Sequence, residues 1–507
     1  MIKKIQLLSA ILLLTIFSIH AQNFPFPQHT VYATHIKPSQ YTQQQLDDQV
    51  KAFYDGWKNK YLKQGCEDDQ YYVYFASGNT ITVSEAMGYG MLITPLMAGY
   101  DENAKIYFDG LYRYYKAHPS HIMPHLMAWK QITGCKDADG PDSATDGDID
   151  IAFGLLLAHA QWGSQGAINY FQEALAIIND IMGENASQGD INQDFYSIKL
   201  GDWVRNGYYM NGTRTSDFIM DHFRAFACAT NDSSSWNNVV STCYELIDDM
   251  QTNFSPETGL LPDFIVNLDS SAEPASPNYL EGDLDGNYSY NACRDPWRIA
   301  SDYLINGDDR AKNAVIKINQ WLKEASGGSV QKIKAGYYLN GEPAVGWSDI
   351  SFTAPFTVGA MLDTTNQEWL DKLYSKILSS NIAYGGYYDN TLKLLSLITI
   401  SGNYWVPDCS ILNNINSFNA VEKTFFNILP VPAKDNLSIR LKDATTNISY
   451  FVSVIDLSGK AVLKSNPTYD TELKIDVSEL KNGIYFLNII DSNTGNIIER
   501  KKFIIAK

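Results

Sequence analysis

Two short stretches of this 507-residue chain carry carboxylates in patterns that could do chemistry. Residues 80–91 run Thr80, Ile81, Thr82, Val83, Ser84, Glu85, Ala86, Met87, Gly88, Tyr89, Gly90, Met91. Ser84 can cap a helix, which places Glu85 in its first turn. A carboxylate there complements the helix dipole. Gly88 and Gly90 would let a neighbouring element approach closely. The second stretch holds Asp146, Asp148 and Asp150 in alternation, just ahead of an apolar run that includes Leu155, Leu156 and Leu157. Carboxylates so spaced could bind a cation, start a helix or exchange protons. The calcium reading fails. An EF-hand loop needs Gly at position six and an acid at position twelve, and counting from Asp146 those places hold Ile151 and Leu157. At least one of the three acids is expected to serve the helix start.

The elements that must position these acids are mostly helical. Apolar residues recur at helical spacing over 46–62, 84–98, 150–161, 170–181, 215–229, 234–252, 296–305 and 311–325. Many helices over nearly 400 residues, with few strand signals, predict a helical toroid or a stack of helical hairpins. No fixed-period repeat points to a regular solenoid. Near residue 407 the texture changes. Short alternating runs at 437–441, 450–456, 474–477, 484–490 and 497–505 are separated by turn residues such as Ser458-Gly459, Asn482-Gly483 and Asn493-Thr494-Gly495. They predict a small antiparallel β-sandwich. From residue 425 onward the chain has 11 Lys/Arg and 9 Asp/Glu, against a whole-chain net charge of −18. The two parts therefore read as separate domains, at 30–405 and 425–507, joined by a linker over 406–424.

Residues 144–162 closely resemble the signature of glycoside hydrolase family 8, which includes endoglucanases, chitosanases, lichenases and xylanases. Gly154 departs from it, where Ser or Ala is usual. Residues 84–91 match a second block of that family, and the run Tyr290, Asn291, Ala292, Cys293, Arg294, Asp295, Pro296, Trp297, Arg298 matches a third. The resemblance covers roughly residues 30–405. It implies a mainly α protein, an (α/α)6 barrel, that hydrolyses β-linked glycans with inversion. Glu85 would be the general acid, and Asp146 would hold the distorted ring at the central sugar subsite. Inversion requires one protonated carboxyl and one carboxylate base, far enough apart to admit a water. A helix start alone would lower the Glu85 pKa, so burial and a nearby carboxylate must raise it.

The base is the harder assignment. One branch of the family has Asp where this chain has Asn291, and an amide cannot deprotonate water. Another branch takes its base from a loop inserted before this block. Here that loop is 262–289, with Asp263, Asp269, Glu273, Glu281, Asp283 and Asp285. Glu281 is favoured because Gly282 could turn its side chain into the cleft, and Asp283 and Asp285 are the fallback pair. Tyr290, Arg294, Trp129 and Asp148 are expected to contact substrate. Asp221 and Arg224 are weaker candidates.

The C-terminal part resembles the type IX secretion sorting domain of Bacteroidetes. The carrying residues are 430–437, 483–487 and 501–505, with Val431-Pro432 in place of the usual Asn-Pro. The resemblance implies the secretion machinery as a partner. A carbohydrate-binding module is the rival, but no Trp follows Trp405. At the other end, Lys3, Lys4 and the apolar run 7–19 read as a signal peptide over 1–21. That run is short for a membrane span, and no later stretch is long enough.

Composition narrows the classes. With 45% hydrophobic residues the chain can bury a core, and its acidity excludes nucleic acid as partner, which needs clustered Lys and Arg. Its 32 Tyr, 22 Phe and 10 Trp could in part line a groove where sugar rings stack. The six Cys show no CxxC spacing, which excludes the usual structural zinc pattern, and one or two bridges of open pairing are expected. The expectation is a secreted or cell-surface, monomeric enzyme with no cofactor or metal. Its substrate would be a polysaccharide: chitosan, mixed-linkage β-glucan or cellulose first, xylan third. A non-catalytic glycan-binding protein is the rival of a different class.

Overall fold

A computed structural model describes residues 22–413, 426–441, 449–455, 461–492 and 497–507. The expected signal peptide, most of the expected linker and the turns at 458–459 and 493–495 lie outside them. The chain divides into two compact units, 1–413 and 414–507.

The first unit contains twelve α-helices of eleven residues or more among the described residues. In chain order they are α1 (Gln43–Tyr61), α2 (Ser84–Leu96), α3 (Ala104–Ala117), α4 (Thr145–Trp162), α5 (Tyr170–Met182), α6 (Met220–Thr230), α7 (Ser233–Asp249), α8 (Asp295–Asn306), α9 (Asp309–Ala325), α10 (Ile350–Ala360), α11 (Gln367–Ser379) and α12 (Tyr387–Ile400). The even-numbered helices are buried nearly all round, and the odd-numbered ones bury one stripe each. Helices apolar on every face belong inside and amphipathic ones outside. The result is an inner ring of six helices wrapped by an outer ring of six, an (α/α)6 barrel. Before α1, the segment around Gln28 and Thr30 bonds to Gly402 and Asn403 after α12, which joins the two ends of this unit.

Local chemistry sets the helix ends. Thr42 and Gln45 form a reciprocal capping box at α1. Asn169 and Asp308 accept from the first turns of α5 and α9. Glycines set how closely α2 and α4 pack. A Cβ on Gly147 would lie 2.5 Å from the Ser84 hydroxyl oxygen, and one on Gly88 would lie 2.7 Å from Asp150 Cβ. Only glycine permits that approach, and it brings the first turns of the two helices side by side. Gly154 follows the same rule, since a Cβ there would meet the Met91 carbonyl oxygen at 2.8 Å.

Several boundaries differ from the sequence reading. α4 begins at Thr145, so Asp146 and Asp148 lie within its first turn rather than ahead of the helix. Ser84 is the first helical residue of α2 and makes no capping bond; Val83 stands at the cap. α3, α10, α11 and α12 fall outside the helical spans read from sequence. Cys66 pairs with Cys135, Cys228 pairs with Cys409, and Cys243 and Cys293 are free and buried. Among the described residues no helix is long and apolar enough to cross a membrane.

The second unit is a β-sandwich with seven strands among the described residues: β1 (Phe426–Leu429), β2 (Asn436–Leu441), β3 (Tyr450–Ile455), β4 (Ala461–Lys464), β5 (Glu472–Asp476), β6 (Gly483–Asp491) and β7 (Ile497–Ile505). They form two antiparallel sheets, ordered β1-β2-β5 and β4-β3-β6-β7. Alternate residues such as Leu437, Ile439, Val452, Val454, Leu487, Ile489 and Phe503 fill the space between them.

Candidate active site

Glu85 and Asp146 meet because α2 and α4 start at the same end of the barrel and approach through glycine. One guanidinium nitrogen binds both. Arg294 Nη1 lies 3.0 Å from Glu85 Oε2 and 2.8 Å from Asp146 Oδ2. Arg294 comes from the 3-10 turn before α8 and is 1% exposed. Its Nη2 donates to Ser216 Oγ at 2.7 Å and to Asn291 Oδ1 at 3.0 Å. Tyr387, the first residue of α12, donates to Glu85 Oε1 at 3.0 Å. A second guanidinium, Arg214, approaches Asp146 Oδ1 to 3.2 Å and Glu281 Oε1 to 3.8 Å. A small antiparallel sheet pairs Arg214 with Phe264, beside Asp263.

This environment gives the two acids opposite charge states. Burial pushes the Glu85 carboxyl up to about 7, helped by Asp146 and opposed by Arg294 and Tyr387. Burial would also raise Asp146, but Arg214 and Arg294 outweigh it and hold that carboxyl below its usual range. Near neutral pH the site therefore presents a proton on Glu85 beside a negative charge on Asp146.

Glu281 stands on the same cleft, half exposed, and accepts a 2.9 Å hydrogen bond from Asn291 Nδ2. Its loop is held by Asp285, whose carboxylate accepts the backbone N–H groups of Leu280, Glu281 and Gly282 at 2.7–2.9 Å. The turn thus rests on Asp285, not on conformational freedom at Gly282, whose φ is not positive. Asp285 is buried beneath the loop, and Asp283 is bonded to Asn278. Of the three acids proposed as base, Glu281 is the one lining the cleft.

The cleft holds about 420 Å³ and is walled by Phe75, Trp129, Tyr290 and Tyr388. A hairpin sets Trp129, since Ser84 N donates to its carbonyl at 2.9 Å and Lys130 pairs with Val83. Tyr290 donates to Asp349 at 3.2 Å and receives the Trp347 indole N–H at 3.3 Å.

Asp148 requires correction as a substrate contact. It is 1% exposed and faces away from the cleft, accepting the Met127 N–H at 2.9 Å. Burial, reinforced by Asp190, pushes its carboxyl well above the usual range. Asp221 and Arg224 also lie off the cleft. Asp221 binds His222 and Tyr404, and Arg224 is paired with Asp302 and Asp308. The sequence reading missed Arg214, Tyr387, Tyr388 and Asp389. The Tyr387-Tyr388-Asp389 run directly after Gly385-Gly386 was the available signal; Arg214 had none.

A ring of inner helices carrying a protonated carboxyl beside an ionised one, in an aromatic-walled cleft, defines a glycoside hydrolase. Comparison with known proteins specifies which. Residues 25–402 match the model of glycosyl hydrolases family 8. A "Beta-glucanase" of Niallia circulans is 48% identical over 390 residues, spanning 77% of this chain and 93% of that protein. An "Endoglucanase" of Bacillus sp. strain KSM-330 is 38% identical over 393 residues, or 76% and 82%. The apo structure of a β-1,3-1,4-glucanase from Paenibacillus sp. X4 superposes with a TM-score of 0.73 at 48% identity, covering 76% of this chain and all of that one. The chain belongs to glycoside hydrolase family 8. Residues 427–506 match the secretion system C-terminal sorting domain, which marks the protein for export.

Proposed function

We propose that this enzyme is an inverting endo-β-glucanase acting on mixed-linkage β-1,3-1,4-glucan. Glu85 gives its proton to the leaving oxygen. Asp146, ionised, stabilises the positive charge that develops on the sugar ring. Glu281, on the cleft wall, takes a proton from the attacking water. The observation that carries this reading is the split between Glu85, held protonated to about 7, and Asp146, held ionised by two arginines. Glu281 supports it from its place beyond Arg294 and Asn291, linked to Glu85 through those two side chains. Phe75, Trp129, Tyr290 and Tyr388 offer flat faces on which sugar rings stack. The substrate rests on the relatives that share nearly half the sequence.

A second reading, chitosan, is favoured by the cleft's charge. Among the described residues, Asp146, Glu281 and Asp389 line it as acids beside the protonated Glu85, against Arg214 and Arg294, which leaves a net negative balance that suits a polycation. Residues 1–21 would direct the chain to the periplasm, a linker over 406–424 would join the domains, and the sorting domain would carry the enzyme across the outer membrane. The test is reducing-sugar release from mixed-linkage glucan, carboxymethylcellulose, chitosan and xylan, with the anomer of the first product read by NMR. Release from mixed-linkage glucan with an α product is expected. A β product refutes inversion, and a preference for chitosan selects the second reading.

A further inference from the structure

A general base must hold one orientation, yet Glu281 is a long side chain on a loop, half exposed. Left free, such a side chain samples several rotamers, and a misplacement of about 1 Å can cost on the order of 10² in rate. Asp285 fixes the backbone of the loop but not the carboxylate. Arg214 lies 3.8 Å away, beyond hydrogen-bond reach. Among the described residues, the short side-chain bond to the Glu281 carboxylate comes from Asn291, at 2.9 Å.

Asn291 is itself held from three sides. It is 6% exposed. Arg294 Nη2 donates to its Oδ1 at 3.0 Å, which settles which end of the amide carries oxygen. Its NH2 group therefore faces Glu281 and lies 3.5 Å from Asp263 Oδ2. Asp263 is anchored in turn, since its Oδ1 accepts the backbone N–H groups of Ser289 and Ala292 at 3.0 and 2.7 Å. The Arg294 that fixes Asn291 is the one that binds Glu85 and Asp146. A single chain of hydrogen bonds thus runs from the acid to the base.

We propose that Asn291 is the positioning residue for the Glu281 carboxylate: its amide transmits the fixed geometry of Arg294 and Asp263 to a base carried on a loop. The role rests on Glu281 being the base. It excludes a carboxylate at this position, since the side chain must accept from Arg294 and donate to a carboxylate at once.

The test compares Asn291→Ala, Glu281→Ala and the double variant on soluble mixed-linkage glucan, with and without azide. Asn291→Ala should lower kcat by about 10²-fold with KM little changed. The double variant should be no slower than Glu281→Ala, because residues acting as a unit do not lose rate multiplicatively. Azide, which replaces the activated water, should restore turnover to both single variants; an unfolded protein would show no such rescue. Should Asn291→Ala not fold, Asn291→Ser is the smaller change that carries the same comparison. Multiplicative losses in the double variant, with Glu281→Ala strongly impaired but still measurable, would overturn the positioning role and leave the base in place. Near-normal turnover in Glu281→Ala would instead remove the base assignment, and the positioning role with it.

Discussion

Glu85 should cost the fold stability in the pH range where it makes catalysis possible. Its ordinary value is 4.5, and burial carries it to about 7 in the folded chain. A group whose folded pKa is raised binds its proton more tightly in the native state. For an acid, that stability is lost as pH climbs from the unfolded value through the folded one. The difference corresponds to about 3 kcal/mol. Gln at this position mimics the neutral carboxyl at every pH. The stability advantage of Glu85→Gln over wild type should therefore grow by about 3 kcal/mol between about pH 4.5 and pH 8, most of it before pH 7. Denaturant melts at half-unit pH steps measure it, while hydrolysis by the same variant should fall by about 10²–10⁴-fold. In wild type the basic limb of kcat/KM should bend near pH 7. Tyr387→Phe removes a hydrogen bond that favours the carboxylate and should move the limb upward. A stability difference that does not change with pH, together with a limb that Tyr387→Phe leaves in place, would refute the assignment of the proton to Glu85.

Other perturbations separate chemistry from fold. Asp146→Asn should lose activity nearly as fully as Glu85→Gln, and since it takes the carboxylate from two buried arginines it should also lower the melt. Asp150→Asn breaks a buried pair with Arg298 and should cost about 3–5 kcal/mol in denaturant melts, with kcat of the folded fraction near normal; the reverse order of damage would mean the wrong acid had been chosen. Replacing Cys66 and Cys135 by Ser opens a 69-residue loop and should cost about 4 kcal/mol by chain entropy. It should also raise KM, because Cys135 lies in the hairpin that carries Trp129; an unchanged melt and an unchanged KM together would dismiss the bridge as a support of the cleft. Deleting residues 414–507 should leave specific activity intact and block export, read by comparing cell fractions with purified protein. Loss of polymer hydrolysis by the purified truncation would point to a binding role for the β-sandwich.

What the sequence made legible follows the range of the forces involved. Glu85 and Asp146 were readable because the blocks that carry them, 84–91 and 144–162, resemble those of a known family; their spacing alone allowed an ordinary helix-start role as readily. The outer helices α1, α5, α7 and α9 were readable because one apolar stripe repeats along each. The inner helices α10 and α12 were missed: burial on every side leaves little period to detect, and, unlike the equally buried α2, α4 and α8, they follow no recognised motif block. α3 and α11 do bury one face each and were within reach of the same reading. The sequence reading starts α4 at Asp150 rather than Thr145 because an Asp-Gly-Asp run has the composition of a loop. Tertiary contacts override that preference, as Arg214 and Arg294 neutralise Asp146 and the Ser84 backbone closes over Gly147. Asp148 misled for the same reason. Asp146 beside it faces the cleft, but within a helical turn Asp148 points into the core. Glu281 was singled out by its place beside Gly282, whereas Asp285 and Asn291 are what hold it. Arg214 belongs to no motif and lies far along the chain from both carboxylates it serves, yet it reaches Asp146 and Glu281 together. A site assembled from many separate segments gives each segment only part of its pattern, and the cations that set the charge state of the acids arrive from distant parts of the chain.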